Sequence, residues 1–161
     1  MRFLIAIIVS ISSISAFAID RGINYDPAHN PAFTQAQRQL NIQTMRQLVQ
    51  HDLDIIQNAG FTAVKTFYSN FATIDGKHSF NAADVVCPMN LKLYLGVYEF
   101  NPDSDNCADW CKVATQQQAQ YAIDSAKKYP NCIEMIIVGN EDIYNWDFSA
   151  PNNTMQQRIS N

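Results

Sequence analysis

The chain has 161 residues, 47% hydrophobic and 16% charged, with a formal net charge of −4. A disordered chain would be far less apolar, so the composition is that of a folded globular domain. Fifteen acidic side chains against eleven Lys and Arg leave no basic footprint for nucleic acid and no polybasic anchor for an anionic membrane.

The N-terminus, MRFLIAIIVSISSISAFA, reads as an export signal. It has one Arg, an apolar core from Phe3 to Val9 extended by Ile11 and Ile14, and then Ala16-Phe17-Ala18. The small residues flanking that triplet favour cleavage after Ala18. The core is short for a bilayer of roughly 30 Å, which argues against an uncleaved anchor. Residues 1–18 are therefore expected to be a signal peptide and 19–161 the folded unit. The expected location is secreted, extracellular or cell-wall (periplasmic in a bacterial source), with no membrane association after cleavage.

Cys87, Cys107, Cys111 and Cys132 suit that location, because an even cysteine count in an exported chain is most simply two disulfides. Zinc is disfavoured: no pair has C-x-x-C spacing, and His29, His51 and His78 are scattered. No metal and no cofactor are expected.

In chain order, DRGINYDP is a first strand, closed by Asp26-Pro27, and AHNPAFTQ reads as a long loop. From Asn41, the residues Met45, Leu48, Val49, Leu53 and Ile56 recur at three- and four-residue steps and mark one helix face. Gly60 is placed to cap its end in the left-handed conformation. FTAVKTFYSN, rich in β-branched and aromatic residues, is a second strand. NAADVV is a short helix stopped by Pro88. LKLYLGVYEF is a third strand with Leu91, Leu93, Leu95 and Val97 on one face. CADWCKV turns from loop into a helix whose face carries Ala119, Ala122, Ile123, Ala126 and Tyr129, broken by Pro130. IEMIIVGNE is a fourth strand, and DFSAPNNTMQQRI a loop leading towards another helix.

Strands apolar on both faces, alternating with helices, predict a parallel α/β sheet covered by helices. A dinucleotide-binding sheet would carry a G-x-G-x-x-G turn after its first strand, but NYDPAHNPAF contains no glycine, and there is no P-loop. Polar and aromatic residues gather just past each strand: Tyr25-Asp26, Phe67-Tyr68-Ser69-Asn70, Tyr98-Glu99-Phe100-Asn101 and Asn140-Glu141-Asp142. Successive strand ends are where a (β/α)8 barrel builds its active site.

RGINYDP, GFTAVKTFYS, LKLYLGVY and IIVGNED, in that order and spacing, resemble the first half of a glycoside hydrolase family seventeen enzyme. That family comprises secreted β-1,3-glucan hydrolases and glucanosyltransferases. The resemblance runs from Arg21 to about Asp142, and its most specific piece is Val138-Gly139-Asn140-Glu141. It implies a (β/α)8 (TIM) barrel and a retaining mechanism in which Glu141 is the general acid/base and Asn140 hydrogen-bonds the sugar 2-OH. Tyr25 matches a sugar-contacting position. The implied partner is β-glucan or a related cell-wall polysaccharide.

The second strand departs from the family's Val-Arg-x-Tyr. Lys65 keeps the charge of the Arg but not its bidentate fork. Phe67 stands where the Tyr hydroxyl belongs, and Tyr68 comes one residue late, on the opposite strand face. Lys65, Phe67 and Tyr68 are therefore the candidate substrate contacts on this strand. Barrels of this kind typically run to about 250 residues; here about four βα units are present, a half-barrel, and the family's second carboxylate, on a later strand, is missing. A catalytically inactive glucan-binding or half-barrel-pairing protein, self-associating through its uncovered strands, and an unrelated carbohydrate-active barrel are the other readings.

Glu99 reads as a substrate contact or a salt-bridged loop residue, and Glu134 as structural. Asp26 and Asp142 are as well suited to capping turns as to touching sugar. Trp110 and Trp146 are stacking or packing residues, and Asn152-Asn153-Thr154 fits a glycosylation sequon. Cys87 and Cys132 precede the third and fourth strands, at the bottom of the sheet, whereas Cys107 and Cys111 both follow the third, at the top. Crossed pairs would span a strand length of roughly 17–20 Å, so the expected bridges are Cys87–Cys132 and Cys107–Cys111.

Overall fold

The computed structural model describes residues 21–100 and 111–139. Strand β1 (Gly22–Tyr25) is followed by a 3-10 turn at Pro27–His29 and helices α1 (Pro31–Arg38) and α2 (Ile42–Asn58). Strand β2 (Ala63–Thr66) leads into a short hairpin, β3 (Asn70–Ala72) and β4 (Ser79–Asn81), and then α3 (Ala83–Val86). Strand β5 (Lys92–Val97), helix α4 (Cys111–Lys128) and strand β6 (Ile133–Val138) complete the described elements.

The main sheet is parallel and runs in chain order, β1-β2-β5-β6. Each crossover advances one strand in the same direction. Right-handed connections of that kind all pass over the same face of the sheet. The register row Ile23–Val64–Leu93–Ile133 belongs to the core, where it meets Met45, Val49 and Leu53 of α2 and Ala122 of α4. By strand alternation Asn24, Lys65 and Tyr94 lie on the other face, and the register irregularity that gives β6 one extra residue between Ile133 and Met135 brings Met135 opposite Tyr94. A doubly wound sheet would instead reverse its strand order at a switch point.

Helix α2 follows the sequence closely. The Asn41 side chain accepts the Thr44 N–H at 3.0 Å. Met45, Val49 and Leu53 are fully buried. Gly60 at φ +87° closes the helix, its N–H on Gln57 and the Phe61 N–H on Ile56, which is a Schellman motif.

Three local expectations change. Residues expected to form a long loop include α1, because the Asn30 side chain accepts the Ala32 N–H at 3.0 Å, Pro31 pre-sets the first turn, and Phe33 and Ala36 are buried. The second strand ends at Thr66 rather than Asn70, and the hairpin takes over. Ile123 is 45% exposed, and the buried face of α4 runs through Gln118, Ala122 and Ser125 instead. The cause is the hairpin, whose Ser69, Asn70 and Asn81 demand polar partners: Ser69 binds Gln118, and the Asn81 amide donates to Ser125 Oγ at 2.6 Å.

The bridge Cys87–Cys132 is present, with Cα atoms 5.7 Å apart, tying the chain just before β5 to the chain just before β6. It closes a separation of 45 residues, a constraint on the unfolded chain that stabilises by about 2–4 kcal/mol. The expected Cys107–Cys111 bridge lies outside the described residues.

Candidate functional site

The face of the sheet away from the helices carries a layer of mixed chemistry. One residue from each strand forms it: the Asn24 amide, the Lys65 ammonium, the Tyr94 phenol and the Met135 thioether. Asn24 is exposed, Lys65 and Tyr94 are half-buried, and Met135 is 55% exposed. Just past the end of β2, Phe67 follows, with Lys65 Nζ 4.6 Å from its ring centroid. That contact keeps the ammonium beside an aromatic face, where a cation is attracted by the ring quadrupole.

Tyr68 turns away from this pair. It packs against the core and stacks on Tyr98 with ring centroids 4.8 Å apart, and Tyr98 meets Phe100 edge-on at 5.0 Å. The placement agrees with Tyr68 standing on the opposite strand face from Phe67. The segment just beyond Tyr68 is held by α4: the Ser69 N–H and hydroxyl both donate to the Gln118 side-chain oxygen, at 2.6 and 2.8 Å. The Gln118 amide donates in turn to Asn70 Oδ1.

Tyr25 is in a different environment from Lys65 and Phe67. It is 7% exposed in the core, and its hydroxyl donates to Asp52 Oδ2 of α2 at 3.1 Å; Asn30 reaches the same carboxylate at 3.4 Å. Burial, then the Asp52 charge and hydrogen bond, then the charge of Asp26, push its pKa far up. The geometry uses Tyr25 to tie β1 to α2 and does not bring it to the Lys65–Phe67 pair. Asp26 caps the next turn, accepting the Ala28 N–H at 2.9 Å. Glu134 pairs with Lys92 at 2.5 Å, near the start of β6.

Strand β6 runs parallel to β5, and the Gly139 N–H reaches the Val97 carbonyl at 3.0 Å, carrying the register to the C-terminal end of the sheet. Asn140 and Glu141 follow in sequence and lie outside the described residues, as do Asp142, Trp110, Trp146 and the sequon. Sequence reasoning passed over Asn24 and Tyr94. The alternation that puts Leu91, Leu93 and Leu95 on one face puts Tyr94 on the other, so the signal was there for Tyr94; Asn24 needed the inter-strand register.

An amide, an ammonium, a phenol and a phenyl ring on one face of a rigid sheet suit a polyhydroxylated ligand with an apolar ring face. Among the described residues, no three His, Cys, Asp or Glu side chains are grouped to hold a metal, and no helix is long and apolar enough to cross a membrane. No family model, curated protein or solved structure matches the chain.

Proposed function

We propose that the four sheet strands are the first four of a (β/α)8 barrel, and that the protein is a secreted retaining glycoside hydrolase or transglycosylase acting on β-1,3-glucan. One observation carries this reading: parallel strands in chain order, covered by the described helices on one face only, with Asn24, Lys65, Tyr94 and Phe67 on the other, here called the bare face. A barrel has that one-sided construction, and its interior and C-terminal rim hold the reactive groups.

In this reading Glu141 protonates the glycosidic oxygen as the bond to C1 breaks. It then takes the proton from the water or sugar hydroxyl that attacks C1 and displaces the second carboxylate from the glycosyl group. Asn140 holds the sugar 2-OH, a contact that strengthens as positive charge develops on the ring. Lys65 donates to sugar hydroxyls, and Phe67 offers a stacking face in place of a hydroxyl. A second carboxylate roughly 5–5.5 Å from Glu141 is needed to form the covalent glycosyl intermediate, and no residue of the bare-face row supplies it. The Cys87–Cys132 bridge fits an oxidising, extracellular setting.

The test joins binding and turnover. β-1,3-Gluco-oligosaccharides should bind, and Phe67→Ala should weaken binding about tenfold through loss of one stacking face. Release of reducing sugar should require Glu141, with Glu141→Gln lowering turnover by orders of magnitude once a second carboxylate completes the site. Turnover that survives Glu141→Gln, or indifference to every β-glucan, overturns the reading. Binding without turnover even in the completed site would favour an inactive glucan-binding protein, a reading supported by the apolar strand β6, which among the described residues pairs with β5 alone.

A further inference from the structure

Strand β6 carries one residue more than β5 can pair. Leu93 stands opposite Ile133, yet Tyr94 stands opposite Met135, so Glu134 lies between two paired positions with no counterpart. Beyond it the register is regular again, Ile136 with Leu95, Ile137 with Gly96 and Val138 with Val97. Such an extra residue is a feature of antiparallel pairs and is rare between parallel strands.

The chain has a simpler alternative. If Glu134 paired with Tyr94, Met135 would meet Leu95, Ile136 would meet Gly96 and Ile137 would meet Val97, with no residue left over. Apolar content does not choose between the two registers, because every position from Met135 to Val138 is apolar. Nor can the lower end of the strand slide to interconvert them. Cys132 is bonded to Cys87, and its carbonyl accepts the Leu93 N–H at 2.8 Å. The choice falls on the residues around Glu134.

Lys92 of β5 is placed to make it. Its ammonium stands 2.5 Å from the Glu134 carboxylate and donates to the Asn131 carbonyl at 3.0 Å, gripping the chain on both sides of Ile133. The two side chains are 41% and 37% exposed, so the ion pair is weak in isolation. A small bias is enough between two registers of equal apolar content. In the regular register Glu134 would turn to the face of Tyr94, and this grip would be lost.

We propose that Lys92 is a positioning residue: through Glu134 and Asn131 it holds the extra residue in place and so sets the level at which β6 reaches its end. The consequence for catalysis rests on the glycosidase reading. In the regular register everything from Met135 onward would advance by one residue, roughly 3.3 Å, and exchange faces. Asn140 and Glu141 follow directly on this strand, and a proton donor must come within about 2.6–3.2 Å of its oxygen. A misplacement of about 1 Å is enough to lower turnover about a hundredfold.

The experiment is amide-resolved NMR of the whole chain, reading cross-strand contacts between β5 and β6, with a titration by β-1,3-gluco-oligosaccharides. The wild type should show Tyr94 against Met135 and Leu95 against Ile136. Lys92→Met should add a second set, Tyr94 against Glu134 and Leu95 against Met135, and weaken oligosaccharide binding severalfold. Lys92→Arg should keep the wild-type set. Deleting Glu134 from the Lys92→Met chain should restore the wild-type contacts and affinity, because no residue is then left over. A side chain that only stabilised the fold would not be rescued by a deletion. An unchanged register in Lys92→Met, or a deletion that fails to restore it, would overturn the proposal. So would wild-type affinity in a Lys92→Met chain whose register has moved. The expected registers with no oligosaccharide bound by any of these chains would overturn the glycosidase reading while leaving Lys92 as the residue that sets β6.

Discussion

Gly96 of β5 lies hard against the backbone of Thr66: a Cβ at Gly96 would stand 2.3 Å from the Thr66 carbonyl oxygen and 2.6 Å from the Phe67 carbonyl. The Gly96 N–H also points at the Thr66 hydroxyl, 3.4 Å away. Strand β2 ends at this crossing. The missing side chain of Gly96 is what lets the Thr66–Phe67 backbone come so close, with Phe67 beside Lys65 and Tyr68 stacked on Tyr98. A glycine inside a strand commonly marks such an approach.

Gly96→Ala should therefore cost about 3 kcal/mol, at the upper end for overpacking, because the obstructing atoms are backbone and cannot rotate aside. Calorimetry measures the loss. Gluco-oligosaccharide binding should fall with it, since Phe67 must move. An alanine variant with the wild-type melt would show that the crossing is looser than described.

The Ser69–Gln118 pair gives a second expectation. Gln118→Leu leaves the buried Ser69 N–H and hydroxyl without the side-chain oxygen they share, at a cost of about 1–3 kcal/mol. Hydrogen exchange should then speed up first in the hairpin, Asn70–Asn81, and later in α2. Uniform acceleration across both would argue against the hairpin being held by this contact.

Tyr25 sets the alkaline behaviour. Its folded-state pKa is raised, by burial first and by Asp52 second. Its contribution to stability is thus fully present below the unfolded value of about 10 and is lost as pH rises through the folded one. In an ultraviolet titration one tyrosine should stay protonated until the chain unfolds. Tyr25→Phe should remove that resistant step, and its persistence in the variant would mean another phenol is responsible.

Reducing the Cys87–Cys132 bridge, or replacing both with Ser, should lower stability by about 2–4 kcal/mol. Non-reducing peptide mapping should recover a linked Cys87–Cys132 peptide and, by the top-and-bottom argument, a Cys107–Cys111 loop. A Cys87–Cys107 or Cys111–Cys132 link would refute both the pairing and the strand placement.

Among the described residues β6 pairs with β5 alone, and Met135 and Val138 are 55% and 69% exposed. An apolar strand with a free edge invites association. Sedimentation should show concentration-dependent self-association of the isolated chain, suppressed by Val138→Lys. A monomer at all concentrations would mean that edge is already covered.

What the sequence determined by itself was whatever a local period can encode. The 3.6-residue repeat through Met45, Val49 and Leu53 placed α2, and the alternation Leu91-Leu93-Leu95-Val97 placed β5 and its buried face. The order of strands and helices led to a parallel sheet, and the sheet to the Cys87–Cys132 bridge. Asn30-Pro31 carried a helix-start signal that the polar surroundings obscured. The hairpin was out of reach because three-residue strands are too short to show a period. Only the tertiary structure decided which face of each strand is covered, since alternation defines two faces without saying where helices will pack. That is why Tyr25, at a strand end like Phe67, lies in the core against Asp52 while Lys65 and Phe67 lie half-buried together on the other face. It also decided that α4 buries Gln118 and Ser125 and exposes Ile123: a helix face is chosen by what it meets, and here it meets the polar hairpin some fifty residues earlier in the chain.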